Sequence, residues 1–403
     1  MKNFKLTEKS FLIGLFSVAF LVRLAFVLKL NAQPISGDSY DWMMVASDIL
    51  SGKGFGDTWR PPGYSVYLAA IMFVFGKSLL TFKFMNVVLG SITCVLIYQV
   101  GKKVFSWQVG RIASVLVCFY PYLIAYTGDI LSETFMTFML ALSLLLILIC
   151  NENPSAKNII LTGIVLGLTT LTKSTVLPFF GLACLWLMWR TKNIKAGLIL
   201  GVLTLLTVSP WTIRNYFYYG KFIPISTAGR SFYLACCDGA MFLESAGEVD
   251  RPQTAEMSSP AIPEEYGEIL KLPRMEQEEI FTRKAKEWLK NNEDKQLYLL
   301  KARFLHFWRL YPMMAYKWQK LAAKLTAGIY IPLGIIGIFW SYKYFRKTSL
   351  LLMLFAVYTL VHIMFVVVMR YRIPIDPYMI IFASFTIHRV YMLLKPQQTQ
   401  AKG

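Results

Sequence analysis

Charge is scarce in this sequence, and acid is scarcer than base. Only 16% of its 403 residues are Asp, Glu, Lys or Arg, with 23 acids against 42 bases and a formal charge of +19. Polar residues at that level cannot cover a soluble globule when 56% of the chain is hydrophobic. With a mean hydropathy of +0.49, the composition is that of a polytopic membrane protein. Histidine and cysteine are few as well. His306, His362 and His388 are scattered, and no CxxC or HExxH spacing occurs, which argues against a His/Cys metal centre. The six cysteines give no disulfide framework. Cys94, Cys118, Cys150 and Cys184 lie in or at the end of apolar runs, and Cys236 and Cys237 are adjacent, a poor geometry for pairing. No basic stripe or recognition motif accompanies the positive charge, so nucleic-acid binding is set aside. Excess base of this kind gathers in cytoplasmic loops, and a remainder on the other face suits a phosphate-bearing ligand. There is no long-period repeat.

What the chain has in quantity is apolar runs. The first, Phe11 to Leu30, is too long for a signal-peptide core and lacks a small-residue cleavage pattern, so it is expected to stay as a span. Ten candidate spans follow from the runs: 11–30, 80–100, 112–127, 134–150, 159–171, 175–189, 196–212, 322–340, 349–369 and 375–394. The expected fold class is an all-α polytopic membrane protein with about 10–11 transmembrane helices, juxtamembrane helices and a small helical cap. Three basic clusters set the orientation: Lys102, Lys103 and Arg111; Arg190, Lys192 and Lys195; Lys343, Arg346 and Lys347. Placing all three inside gives a cytoplasmic N-terminus. The 62–76 run is then too short to cross and reads as a juxtamembrane or re-entrant helix starting at Pro61-Pro62.

The expected domains are a membrane module over 1–212, an extracytoplasmic segment over 213–321, C-terminal spans over 322–394 and a polar cytoplasmic tail over 395–403. Within 213–321, residues 244–268 read as a Pro-, Ser-, Glu- and Gly-rich loop. From Arg274 to Phe307 the pattern turns helical, with Ile280, Ala285, Trp288 and Leu289 on one stripe, then Leu297, Leu300 and Phe304. The segment reads as a cap packed on the membrane face, in a position to meet an acceptor.

The outer loops hold the chemistry. The longest polar interruption near the start, Gln33 to Tyr67, carries Asp38, Asp41, Asp48 and Asp57 and then Arg60 before the two prolines. Carboxylates beside a span usually have a use. Asp38 and Asp41 in GDSYDW can act as a general base, bind a metal or, for Asp38, cap the helix that follows. Asp129, Ser132 and Glu133 in TGDILSETF form a second acidic loop; helix N-terminal charge explains Glu133 alone, while two acidic loops on one face can share an acceptor or a divalent cation. Arg60, Lys83, Lys173, Arg214, Arg370 and Arg372 all sit near outer ends of apolar runs. Any one can be a snorkelling anchor. Six on the face opposite the positive-inside bias point to an anionic headgroup, since Arg binds phosphate bidentately. Tyr40, Trp42, Trp59, Tyr64, Trp211, Tyr216, Tyr218 and Tyr219 form an interfacial aromatic belt, of which one or two can line a sugar site.

The chain resembles the C-type membrane glycosyltransferases, in particular glycosyltransferase family 39, which includes protein O-mannosyltransferases and lipid A aminoarabinose transferases. The resemblance runs from residue 1 to about 394. It rests on the order and spacing of GDSYDWMMVASDILSGKGFGDTWRPPGYSVYLA, KFMNVVLGSITCVLIYQVGKKVFSWQVGRIASVL, LSETFMTFMLAL, PWTIRNY and RYRIPIDPY. It implies a polyprenyl-phosphate sugar donor, an envelope acceptor and inverting transfer at the extracytoplasmic face of a bacterial plasma membrane. By position, Asp38 matches the catalytic acid of the first loop and Arg60 the basic residue before Pro-Pro that is associated with the lipid phosphate. Lys83 stands where relatives often carry Arg, Arg214 in PWTIRNY matches a phosphate-contacting Arg, and Glu133 matches the acid of the second loop. Relatives often have two adjacent acids in the first loop; here Ser39 follows Asp38, which leaves Asp41 as the partner. The soluble portion lacks a recognisable carbohydrate-binding module, which favours a bacterial envelope enzyme over a eukaryotic protein mannosyltransferase. A transporter or flippase of lipid-linked sugars shares the need for spans and a basic phosphate site, but should show polar groups along its spans. A structural scaffold would have no use for Asp38 or Arg60.

Overall fold

The computed structural model describes residues 7–30, 37–57, 60–237, 265–310, 317–365 and 367–395. Trp59, residues 244–264 of the predicted loop and the tail beyond Lys395 lie outside the described residues. Among the described residues every regular element is an α- or 3-10 helix.

The N-terminal half comprises α1 (Glu8–Leu30), α2 (Asp38–Leu50), α3 (Gly63–Phe75), α4 (Leu79–Val104), α5 (Trp107–Cys118), α6 (Pro121–Ala125), α7 (Ser132–Glu152), α8 (Ala156–Thr172), α9 (Leu177–Thr191) and α10 (Ile194–Tyr219). The cap comprises α11 (Gly229–Ala235), α12 (Glu265–Ile269), α13 (Arg274–Asn291) and α14 (Glu293–Phe307). The last spans are α15 (Lys317–Trp340), α16 (Phe345–Ile363) and α17 (Asp376–Leu394). Helix α4 is the hub of the first half, packed on α1, α5 and α7; α8 packs on α10, and α15 on α17.

Seven helices among the described residues are long and apolar enough to cross a membrane, and an eighth if the bent pair Trp107–Cys118 and Pro121–Gly128 is one span. The sequence predicts ten. Each of the ten runs holds a helix, though the one in 349–369 stops at Ile363, and two fall short. Helix α8 has 17 residues and α9 has 15; at a rise of about 1.5 Å per residue they reach about 25 and 22 Å, under the roughly 30 Å of hydrocarbon. Helix α8 packs on α7 and α10, and α9 on α10 and the helix over 345–363. Helix α3, with 13 residues, is shorter still, in keeping with a helix that does not cross.

The bent span shows how the bundle tolerates a buried charge. Pro121 cannot continue α5, so the chain turns by 53° there and frees carbonyls at the end of α5. Arg23, wholly buried on α1, fills the gap. Its Nη1 donates to Ala19 O at 3.2 Å and Cys118 O at 3.1 Å, and its Nη2 to Val117 O at 3.4 Å. A cation at a helix C-terminus is favourable. Small residues allow the other close contacts: a Cβ on Gly110 would lie 2.6 Å from Tyr98 O of α4.

The cap has its own core of Tyr233, Tyr266, Phe281, Ala285 and Leu299, with Ile280, Trp288 and Leu289 packed on it. The stripe predicted on α13 is therefore inward. On α14 the prediction fails: Leu297 and Phe304 are exposed, and Leu299, Arg303, His306 and Phe307 are buried. Arg303 turns the helix, because its guanidinium reaches Ala235 O of the cap and Ile363 O at the end of α16.

Candidate active site

Chain direction brings the ends of α1, α8, α10 and α16 and the starts of α4, α7 and α17 to one end of the bundle. The opposite end holds the basic clusters, where Lys102 pairs with Glu8 and Lys103 with Glu152. Helix α2 and the turn Met369–Arg372 close over the first end.

Gly37 sets the start of α2. Its φ of 55° suits glycine and makes Asp38 the first helical residue. The N-cap is thus Gly37, with no side-chain cap bond, and Asp38 is free of the capping role that the sequence allowed. Its carboxylate sits instead between two guanidinium groups. Arg60 Nη2 donates to Oδ1 and Arg370 Nη2 to Oδ2, both at 2.6 Å. Asp41 lies one turn on, on the same face of α2, and accepts from the same Arg60 Nη2 at 3.1 Å. Arg60 lies 4.7 Å over the Trp42 ring. Two prolines follow it, and then Gly63, where a Cβ would lie only 2.8 Å from the backbone of Leu171 and Thr172. That close approach fixes Arg60 near the end of α8, and so near Lys173.

Burial acts to raise the Asp38 pKa, but Arg370 and Arg60 outweigh it and hold the carboxyl at about 2. Arg370 also lies 3.8 Å from Glu133 Oε1 through Nε. Lys173 sits 4.4 Å over the Tyr371 ring. Its pKa is pulled down to about 8, first by burial, with Glu133 opposing and Arg370 assisting. Asp129 is shifted upward by its enclosure and then by Glu133, with Lys83 and Arg370 opposing.

These groups line a cavity of about 350 Å³. Asp38, Trp42, Arg60 and Pro61 form one part of its wall; Glu133, Lys173, His362, Arg370 and Tyr371 form another; Ser and Thr residues of 172–175 and 226–231 complete it. Such a volume lies at the small end of ligand sites, which run from about 300 to 1,000 Å³. Three cations and two carboxylates share the lining.

The expected cluster of six cations divides. Arg60, Lys173 and Arg370 line the cavity, and the other three do not. Lys83 is buried on α4 and acts on Asp129. Arg214 donates to Gly56 O at 2.5 Å and stacks 4.2 Å over Tyr218, tying the α2–α3 loop to α10. Arg372 is fully enclosed and paired with Asp376 at 2.8 Å. Among the acids, Asp41 and Asp129 stand outside the cavity lining; Asn86 Nδ2 donates to the Asp129 backbone carbonyl at 2.9 Å. Among the described residues, no group of three His, Cys, Asp or Glu gathers to hold a metal ion. In the sequence His362 is one of three scattered histidines and stands in no motif. The signal was there: an ionisable side chain at the end of an apolar span marks a functional site by default.

Comparison with known proteins adds the fold. A family profile described as dolichyl-phosphate-mannose-protein mannosyltransferase matches residues 59–213, less than half the chain. No curated protein matches the sequence. Among solved structures, the archaeal oligosaccharyltransferase AglB from Archaeoglobus fulgidus, in complex with an inhibitory peptide and a dolichol-phosphate, superposes with a TM-score of 0.57 at 14% identity. The match covers 96% of this chain and 51% of that one. The same oligosaccharyltransferase with zinc and sulfate gives 0.55 at 14% identity, over 94% and 49% of the two chains. ArnT from Cupriavidus metallidurans bound to undecaprenyl phosphate gives 0.41 at 14% identity, over 95% and 79%. The chain therefore spans about half the length of the oligosaccharyltransferase it superposes on. The class is that of polytopic all-helical membrane proteins. Within it, the chain has the C-type fold of the membrane glycosyltransferases.

Proposed function

We propose that the protein is an inverting glycosyltransferase that moves one sugar from a polyprenyl-phosphate donor to an envelope acceptor. The observation that carries this reading is Asp38 held between Arg60 and Arg370 on the wall of a cavity. The fold and the mannosyltransferase profile support it, as does the dolichol-phosphate bound to the oligosaccharyltransferase on which the chain superposes. The basic clusters at the other end of the bundle support an extracytoplasmic site.

Each group then has a role. The donor phosphate is held by Arg60, Arg370 and Lys173. Because it competes with Asp38 for the two guanidinium groups, donor binding loosens their hold on the carboxylate. Burial then dominates and raises the basicity of Asp38. The acceptor enters beneath the cap. Asp38 takes the proton of its hydroxyl or amine as that atom attacks the anomeric carbon from the face opposite the phosphate. The new glycosidic bond forms as the bond to the phosphate oxygen breaks, and the cations stabilise the charge on the departing lipid phosphate. One displacement inverts the anomeric centre and needs no glycosyl-enzyme.

The test is donor consumption by purified protein in nanodiscs, with no gradient across any membrane. The reading predicts release of polyprenyl phosphate with transfer to envelope acceptor; a transporter would leave the donor intact. The pH profile carries a second signature. If the donor frees Asp38, the acid limb of kcat lies at higher pH than that of kcat/KM, which reports the free enzyme. Coincident limbs contradict donor-triggered release.

A further inference from the structure

Two hydrogen-bond acceptors on the cavity wall are satisfied by no described residue, and a phosphate cannot satisfy them. His362 is 4% exposed and ends α16. Its Nδ1 lies 2.7 Å from Tyr358 O. A carbonyl only accepts, so Nδ1 carries a proton, and in the neutral tautomer this leaves a lone pair on Nε2. That atom is buried and without a partner among the described residues. The ring is packed against Tyr358 at 4.3 Å, Phe307 at 5.6 Å and Tyr371 at 5.7 Å. Glu133 is also 4% exposed. Its Oε1 faces Arg370, and its Oε2 is buried with no described partner. Both residues line the cavity. So do Thr175 and Thr227, whose buried hydroxyls are unpartnered among the described residues.

We infer that His362 is a specificity residue that, with Glu133, accepts hydrogen bonds from the ring of the transferred sugar. The inference rests on the donor site proposed above and adds what that site reads. An acceptor left buried without a donor is costly, so such groups mark places that something else fills. A phosphodiester brings acceptors only, and a polyprenyl tail brings neither kind of group. The ligand that completes this wall must carry at least two O–H or N–H donors on a small frame. A monosaccharide with adjacent hydroxyl or amino groups does so. The cavity volume of about 350 Å³ suits one ring and its phosphate better than an oligosaccharide.

The experiment measures binding of three lipids to the full-length protein in nanodiscs: undecaprenyl phosphate, undecaprenyl-phosphate mannose and undecaprenyl-phosphate glucose. Wild type is expected to prefer at least one sugar lipid to the bare phosphate. His362→Phe keeps an aromatic ring in the same packing but removes the acceptor. It should cut that preference by about three- to tenfold, the range for one lost hydrogen bond, while the affinity for undecaprenyl phosphate holds. His362→Gln, whose amide oxygen still accepts, should restore most of the preference. Equal weakening for all three lipids overturns the inference, as does a wild type that binds all three alike; both outcomes leave the phosphate site standing. A wild type that fails to bind undecaprenyl phosphate overturns the donor site and this inference with it. Should His362→Phe melt early, Glu133→Met, which keeps the length of the side chain but removes both acceptor oxygens, is read in the same three-lipid comparison, with the same loss of preference expected.

Discussion

Arg370 and Arg372 lie on one short turn, and each binds a carboxylate, yet the two pairs do opposite work. Arg372 is sealed. It pairs with Asp376 at 2.8 Å and donates to Phe307 O at 2.8 Å and Arg309 O at 2.7 Å. Asp376 accepts in turn from Tyr120 at 2.7 Å, and the Tyr120 hydroxyl lies 3.2 Å from that of Tyr330. The network ties the α5–α6 bend, the end of α14, α15 and α17 together. Arg370 is open. Its partner Asp38 is 21% exposed and shared with Arg60, and all three face the cavity. An enclosed ion pair with its other bonds made holds a fold. The same pair on a cavity wall, with a second cation competing for one carboxylate, is available for exchange with an incoming anion.

The comparison can be broken by mutation. Arg372→Met leaves Asp376 as an uncompensated buried charge and should cost about 3–5 kcal/mol of stability. It would be read as a fall in Tm and in folded yield. Arg370→Met should lower Tm less, since Asp38 keeps Arg60 and faces the cavity, but weaken donor binding by roughly tenfold, as expected for one charge-assisted hydrogen bond. It also removes one of the two cations that depress Asp38, so the acid limb of kcat/KM should move to higher pH. If both variants lose stability equally, the distinction between sealed and open pairs fails.

Lys173 offers a smaller effect that sharpens the same contrast. With its pKa near 8, it is charged below that pH and neutral above it. Donor affinity should therefore fall as pH rises through about 8. Lys173→Met should flatten this alkaline limb and bind donor a few-fold less tightly at neutral pH. A limb that persists in Lys173→Met assigns the titration to another group.

Much of this was legible in the sequence, for definable reasons. Asp38 and Arg60 stand out because they interrupt apolar runs and flank a Gly37 turn and a Pro-Pro pair. Each of the ten predicted spans holds a helix, since an apolar run long enough to see is long enough to coil. Other features depend on rotation and depth, which composition does not encode. Arg370 and Arg372 look equivalent in RYR, but a 3-10 turn of three residues per turn sends side chains two apart in different directions. Lys83 and Lys173 both sit at ends of runs, and only helix packing decides which reaches the cavity. Leu297 and Phe304 follow a helical period on α14, yet Arg303 and its two carbonyl partners turn the other face inward. Arg23 and His362 carry no loop motif, since each sits inside or at the end of a span.

The most direct measurement is mass spectrometry of envelope lipids and glycans from cells carrying wild type or Asp38→Asn at matched protein levels. If Asp38 takes the acceptor proton, the variant should fold and insert normally but lose turnover by roughly 10²-fold or more. One sugar would then disappear from one acceptor while a polyprenyl-phosphate sugar accumulates, which names both substrates. Identical profiles under conditions where deletion changes them would contradict the assignment of Asp38 as the base.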